Sequence, residues 1–236
     1  MRATMTRMAT GGLVMAAALL SMASDVSAQL GGPYISGRLV PALGNIDDLE
    51  SRTTPGGAAA PDTVLVDDLE EFVAGAALAV GYDWRDQNWP IRTEIEYRYR
   101  YHFDWETQSA ANNRFYNSST RYSHALQANV AYIFGLTAGF DGYVLGGVGV
   151  RYSMTEGDVI NRATNATIDG NVTTENTNLL WNVGGGVMWH FADNWSAELE
   201  YRYIDLGTLD FESGAGDRLT GEAYSHDFVL GLVYRL

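Results

Sequence analysis

Apolar and charged residues alternate strictly along Trp195–Leu206. Ala197, Leu199, Tyr201 and Tyr203 hold one phase, and Glu198, Glu200 and Arg202 hold the other. A period of two puts these sets on opposite faces of a β-strand, whereas a helix would scatter the charges around its circumference. A second stretch, Trp89–Phe103, repeats the design. Ile91, Thr93, Ile95, Tyr97, Tyr99, Tyr101 and Phe103 face one way; Arg92, Glu94, Glu96, Arg98, Arg100 and His102 face the other. Both stretches carry E-[IL]-E-Y-R-Y with an Asn-Trp upstream, so one hairpin design is used twice. The charged face is too rich to bury in a soluble sandwich, and the aromatic face is too large to leave in water. The two are reconciled when the apolar face meets lipid and the polar face lines a closed lumen.

The same alternation predicts eight strands: 33–40, 71–82, 91–103, 122–134, 142–153, 177–191, 195–206 and 223–236. Most exceed the ~9–11 residues that a tilted strand needs to cross a bilayer. Their connections alternate in length. The segments 83–90, 135–141 and 192–194 are short, and 41–70, 104–121, 154–176 and 207–222 are long. Short turns on the periplasmic side and long loops on the cell surface are the pattern of outer-membrane barrels. The expected fold is all-β: an eight-stranded antiparallel up-and-down transmembrane β-barrel. Trp84, Trp89, Trp189 and Trp195 gather at the short-turn rim, and Trp105, Tyr122, Trp181 and Tyr203 at the other, as interfacial girdles do.

Arg2 and Arg7 precede an apolar run at 11–20, and Val26-Ser27-Ala28 supplies small residues for cleavage. Residues 1–28 therefore read as a signal peptide and 29–236 as one barrel domain. The sequence has no Cys, so it has neither a disulfide framework nor a thiolate metal site. Its formal net charge is −14 and every basic residue is Arg. An acidic surface disfavours nucleic acid as a partner.

Asn194–Gly207 resembles the penultimate strand of small outer-membrane β-barrel proteins. These belong to the superfamily of the outer membrane protein A transmembrane domain, which includes opacity-type surface proteins. The closing strand, His226–Leu236, is similar to the signal that the barrel-assembly machinery reads in that superfamily, although Leu236 stands where Phe is usual. The resemblance implies an outer-membrane location, with lipid and lipopolysaccharide around the barrel. It also implies that Phe228, Leu230, Leu232, Tyr234 and Leu236 carry the assembly signal.

In an eight-stranded ring the twin strands face each other across the lumen. On each, acids come first from the short-turn side and arginines follow. The expectation is an ion network of Glu94, Glu96, Arg98, Arg100, Glu198, Glu200, Arg202 and Arg235, joined by the inward Arg38, that plugs the barrel. An interior of this size is filled by side chains. Buried charges persist only when paired, and Arg suits bidentate pairing with carboxylates. The expected role is structural and interactive: envelope integrity, with recognition by the surface loops. A narrow, porin-like ion path along the same residues is the first competing reading. A soluble exported ligand-binding barrel is the second, and it conflicts with the placing of charges inward.

No enzyme is expected. The paired glutamates lie beside arginines, which favours ionised, structural carboxylates. Ser225-His226-Asp227 cannot assemble as a triad, because neighbours on a strand point to opposite faces. The four His share no metal-ligand spacing, and no cofactor is expected. Asp47-Asp48-Leu49-Glu50 and Asp67-Asp68-Leu69-Glu70 are acidic clusters without the glycine-spaced geometry of a calcium loop.

Overall fold

A computed structural model of the chain describes residues 31–53, 62–63, 69–109, 114–137, 139–161, 163–212 and 217–236. The expected signal peptide at 1–28 lies outside the described residues. Eight strands form the wall: β1 (Gly32–Thr53), β3 (Leu69–Asp83), β4 (Ile91–Ser109), β5 (Arg114–Thr137), β6 (Phe140–Asn161), β7 (Ala166–His190), β8 (Trp195–Glu212) and β9 (Asp217–Arg235). The two-residue β2 (Asp62–Thr63) pairs with β1 outside the ring. Each wall strand pairs antiparallel with its sequence neighbour, and β1 also pairs with β9. This closes the barrel and leaves the wall no free edge.

The expected faces hold through the middle of the wall. Leu39, Leu78, Val148, Leu199 and Leu230 are about half to two-thirds exposed on the outside, while Arg38, Glu96, Gln127, Asn182, Glu200 and Arg202 are buried inside. A continuous apolar belt of this size is far beyond what a soluble monomer shows, and hydrocarbon is the solvent it suits.

The strands run past their expected ends. The first was expected to be short, yet β1 has 22 residues. Most of what reads as long loops is wall: 41–53, 104–109, 154–161, 166–176, 207–212 and 217–222 are all strand. On β5 and β8 the physical reason is a change of phase beside the expected end, whereas on β1 the pattern is interrupted at Pro41, which lacks a backbone donor, and the phase changes only later. The register shifts between Asp47 and Glu50, between Thr120 and Tyr122, and between Asp205 and Gly207. Each bulge moves the inward set by one residue, so a period-two reading cannot be carried past it although pairing continues. Beyond these bulges the polarity also inverts. On β8, Leu209 and Phe211 turn inward while Thr208 and Glu212 face out. With Ile46, Leu49, Tyr116, Val159 and Leu219 they form an apolar cluster inside the outer end of the barrel. That end stands clear of the apolar belt, where a water-facing wall needs an apolar core.

At the periplasmic end the turns are tight. Between β3 and β4 lies one 3-10 turn, Trp84–Gln87, capped by the Asp83 carboxylate and closed by Asn88 at φ 64°. Aromatic pairs ring this rim: Tyr82 on Trp84 and Trp195 on Tyr234, both with centroids 4.8 Å apart. At the outer rim Trp181 meets Tyr203 at 5.6 Å.

Candidate functional site

The twin strands β4 and β8 stand four places apart in the ring and bring their charged faces together across the lumen. Arg38 of β1 bridges them. Its Nε donates to Glu198 Oε1 at 2.5 Å, its terminal nitrogens donate to Glu94 at 2.7 and 2.8 Å, and it also pairs with Glu96. Arg202 donates to Glu200 Oε1 from Nε at 2.7 Å and reaches Glu96 Oε1 across the lumen at 3.3 Å. Arg98 donates to Glu96 Oε1 from Nε at 2.9 Å and pairs with Asp227. Arg100 donates to Asp227 at 2.7 and 2.9 Å and to Ser225 Oγ at 2.8 Å. Arg92 lies 3.2 Å from Glu198. Two phenols complete the set: Tyr34 donates to Glu94 at 2.8 Å and Tyr143 to Glu200 at 2.9 Å.

These side chains are almost wholly withdrawn from solvent. Five carboxylates (Glu94, Glu96, Glu198, Glu200, Asp227) meet five guanidiniums (Arg38, Arg92, Arg98, Arg100, Arg202). The balance matters, because a buried charge is tolerated only with a partner and with its hydrogen bonds filled. Small residues make room for the large ones. A Cβ on Gly231 would stand 2.5 Å from Glu198 Oε1. Beside the lattice is a neutral polar layer, in which Asn182 donates to Gln127 at 2.8 Å and to Asn129 at 3.0 Å.

The structure brings together seven of the eight residues expected in this network. The eighth, Arg235, lies at the margin of the network, within electrostatic reach of Arg92. It stands at the periplasmic mouth, where with Tyr82 and Asn194 it lines a recess, within electrostatic reach of Asp83 and Asp141. That mouth has its own cluster: Arg85 pairs with Asp83 at 2.6 Å and Asp141 at 2.5 Å, and His190 meets Asp141 at 2.7 Å. Burial pulls the Arg85 guanidinium down, but Asp83 and Asp141 outweigh it and hold its pKa above the ordinary arginine value. Sequence reasoning placed Arg92 and Asp227 on the inner face without assigning them to the network. Their signal was present in the alternation, but the arginine partners of Asp227 lie more than a hundred residues away.

The other expected positions are placed as follows. Phe228, Leu230, Leu232 and Leu236 are exposed on the outer wall, and Tyr234 packs against Trp195 with the rings tilted. Ser225 and Asp227 point into the lumen, while His226 points out and meets the Tyr201 hydroxyl at 2.7 Å. Asp47, Asp48 and Glu50 sit at the β1 bulge; Asp67 and Asp68 lie outside the described residues. Among the described residues no group of three or more His, Asp or Glu is placed to hold a metal ion.

A closed eight-stranded antiparallel ring with an apolar exterior and a charged interior is the geometry of a small outer-membrane barrel. A model of the outer membrane protein beta-barrel domain matches residues 12–235. The chain belongs to that family. The barrel is accordingly one of a group of bacterial outer-membrane proteins. Among solved structures it is similar to the outer membrane protein OprG from Pseudomonas aeruginosa. The two share 14% identity over 90% of this chain and 100% of that one, with a TM-score of 0.53. Neisserial surface protein A is similar at 14% identity, 87% and 97% coverage and a TM-score of 0.46. Ail of Yersinia pestis is similar at 10% identity, 88% and 100% coverage and a TM-score of 0.44. At such identities the likeness is one of fold. No curated protein matches the chain.

Proposed function

We propose that the protein is a closed outer-membrane barrel with a structural and surface-interaction role, its lumen sealed rather than conducting. One observation carries this reading: the charge-balanced lattice crosses the barrel between opposite walls, with Arg38, Glu96 and Arg202 side chains at 0% exposure. The apolar cluster at the outer end adds a second layer of closure. A sealed, ion-paired interior suits a rigid pillar in the envelope, and the tips joining its strands are then the parts free to meet other molecules. The assembly machinery would read the exposed closing strand, and lipid with lipopolysaccharide would surround the apolar belt.

The test is made in the cell. The protein is expected in the outer-membrane fraction, with a band whose mobility changes on boiling. A short epitope inserted at 162–165 should be reached from outside intact cells. Loss of the gene should raise entry of a large hydrophilic antibiotic several-fold. Recovery in the soluble periplasm, or an unaltered permeability barrier, would contradict the reading.

A further inference from the structure

The charge balance of the lumen leaves one cation over. Arg151, on β6, is 5% exposed, and among the described residues no carboxylate pairs with it. Its Nε is buried without an acceptor. Its charged neighbour is another guanidinium, Arg100, already engaged by Asp227. A buried cation with neither a counter-ion nor filled hydrogen bonds is costly, so a resident anion would relieve a real deficit.

The space for one is present. Arg151 and Arg100 line a pocket of about 60 Å³ together with Ser123 and Ser153, and Val73 and Leu206 belong to the same lining. It lies between the ion lattice and the apolar cluster of the outer end. A void of this size holds more than one water, yet it is small beside a sugar phosphate or a lipid headgroup. Its lining combines two guanidiniums and several hydroxyls with aliphatic side chains. The wall also has a seam beside it. Main-chain pairing of β3 with β4 ends at Gly75–Arg100, although both strands continue beyond. Val73, Arg100 and Tyr101, which border this seam, are also part of the pocket lining. A ligand entering at this seam would bypass the closed lumen.

We propose that this pocket binds a small monocarboxylate with a short apolar tail. The carboxylate lies on the Arg151 guanidinium, whose planar fork matches it, and takes hydrogen bonds from the serine hydroxyls. The tail packs against Val73 and Leu206. A bare halide would satisfy the charge but leave the aliphatic lining unused.

The experiment is calorimetric titration of the folded barrel in detergent with butyrate, its neutral isostere butyramide, and chloride. Butyrate is expected to bind saturably, butyramide not at all, and chloride more weakly than butyrate. Arg151→Met keeps the length of the side chain and removes the charge. It should weaken butyrate by about ten-fold or more, the loss of a charged hydrogen bond. Retention of the heat-modifiable band shows that the variant is folded. If it does not fold, the wild-type unfolding midpoint serves instead, and butyrate but not butyramide should raise it. Absence of saturable butyrate binding, equal binding of butyramide, or undiminished binding by the folded variant would overturn the proposal.

Discussion

Arg38 touches three of the five lattice carboxylates, so it is the side chain on which the most buried charge depends. Arg38→Met would leave Glu94, Glu96 and Glu198 short of a partner in a closed interior. Breaking a buried pair by removing one member costs about 3–5 kcal/mol, since the other charge stays behind. Urea unfolding of the barrel in lipid vesicles should show a loss of that order, whereas a change under ~1 kcal/mol would mean that the lattice relaxes or takes in water. At this scale the sequence was readable because strand alternation sorts side chains by face. Glu94, Glu96, Glu198 and Glu200 stand out because the same run of letters occurs twice. The copy extends further than the letters show: Tyr97 meets His124 at 2.6 Å as Tyr201 meets His226 at 2.7 Å. Asp227 had no twin to mark it, and Arg151 is conspicuous only once its surroundings are known to lack an acid.

Strand boundaries belong to the next scale, and there the bulges decide. Leu206 and Tyr122 are sound ends for an alternating pattern, because the inward set changes phase beside each. Hydrogen bonding ignores that change, so the wall continues into segments whose apolar residues face inward instead of outward. Composition alone reads such segments as loops, since Thr208, Asp210 and Glu212 are polar and nothing in the letters says that Leu209 and Phe211 meet β1 and β5 residues in a shared core. Gly207 marks the β8 bulge. It adopts φ +73°, and a Cβ there would lie 3.1 Å from the Leu179 carbonyl oxygen. Gly207→Val forces a β-branched residue into a left-handed backbone and should cost about 1–3 kcal/mol. The same urea titration reads it; an unchanged midpoint would show that the bulge can slip and that the register above it is not fixed.

For the molecule as a whole, two opposite arrangements share one tube. Through the apolar belt the lumen is charged and the outside is apolar; at the outer end the lumen is apolar and the outside is polar. Each half satisfies the solvent around it, lipid in one case and water in the other. The closed ring and its faces were legible in the sequence because hydrocarbon imposes a strict alternation. The outer core was not, because water imposes a weaker one. Closure by two chemically different layers is the central claim, and single-channel recording in planar bilayers tests it most directly. The barrel inserted from detergent should give no steady conductance above the bare membrane across the usual voltages. Large, stable, stepwise currents from the folded, heat-modifiable protein would show that the lattice leaves a continuous path, and the sealed-barrel account would be wrong.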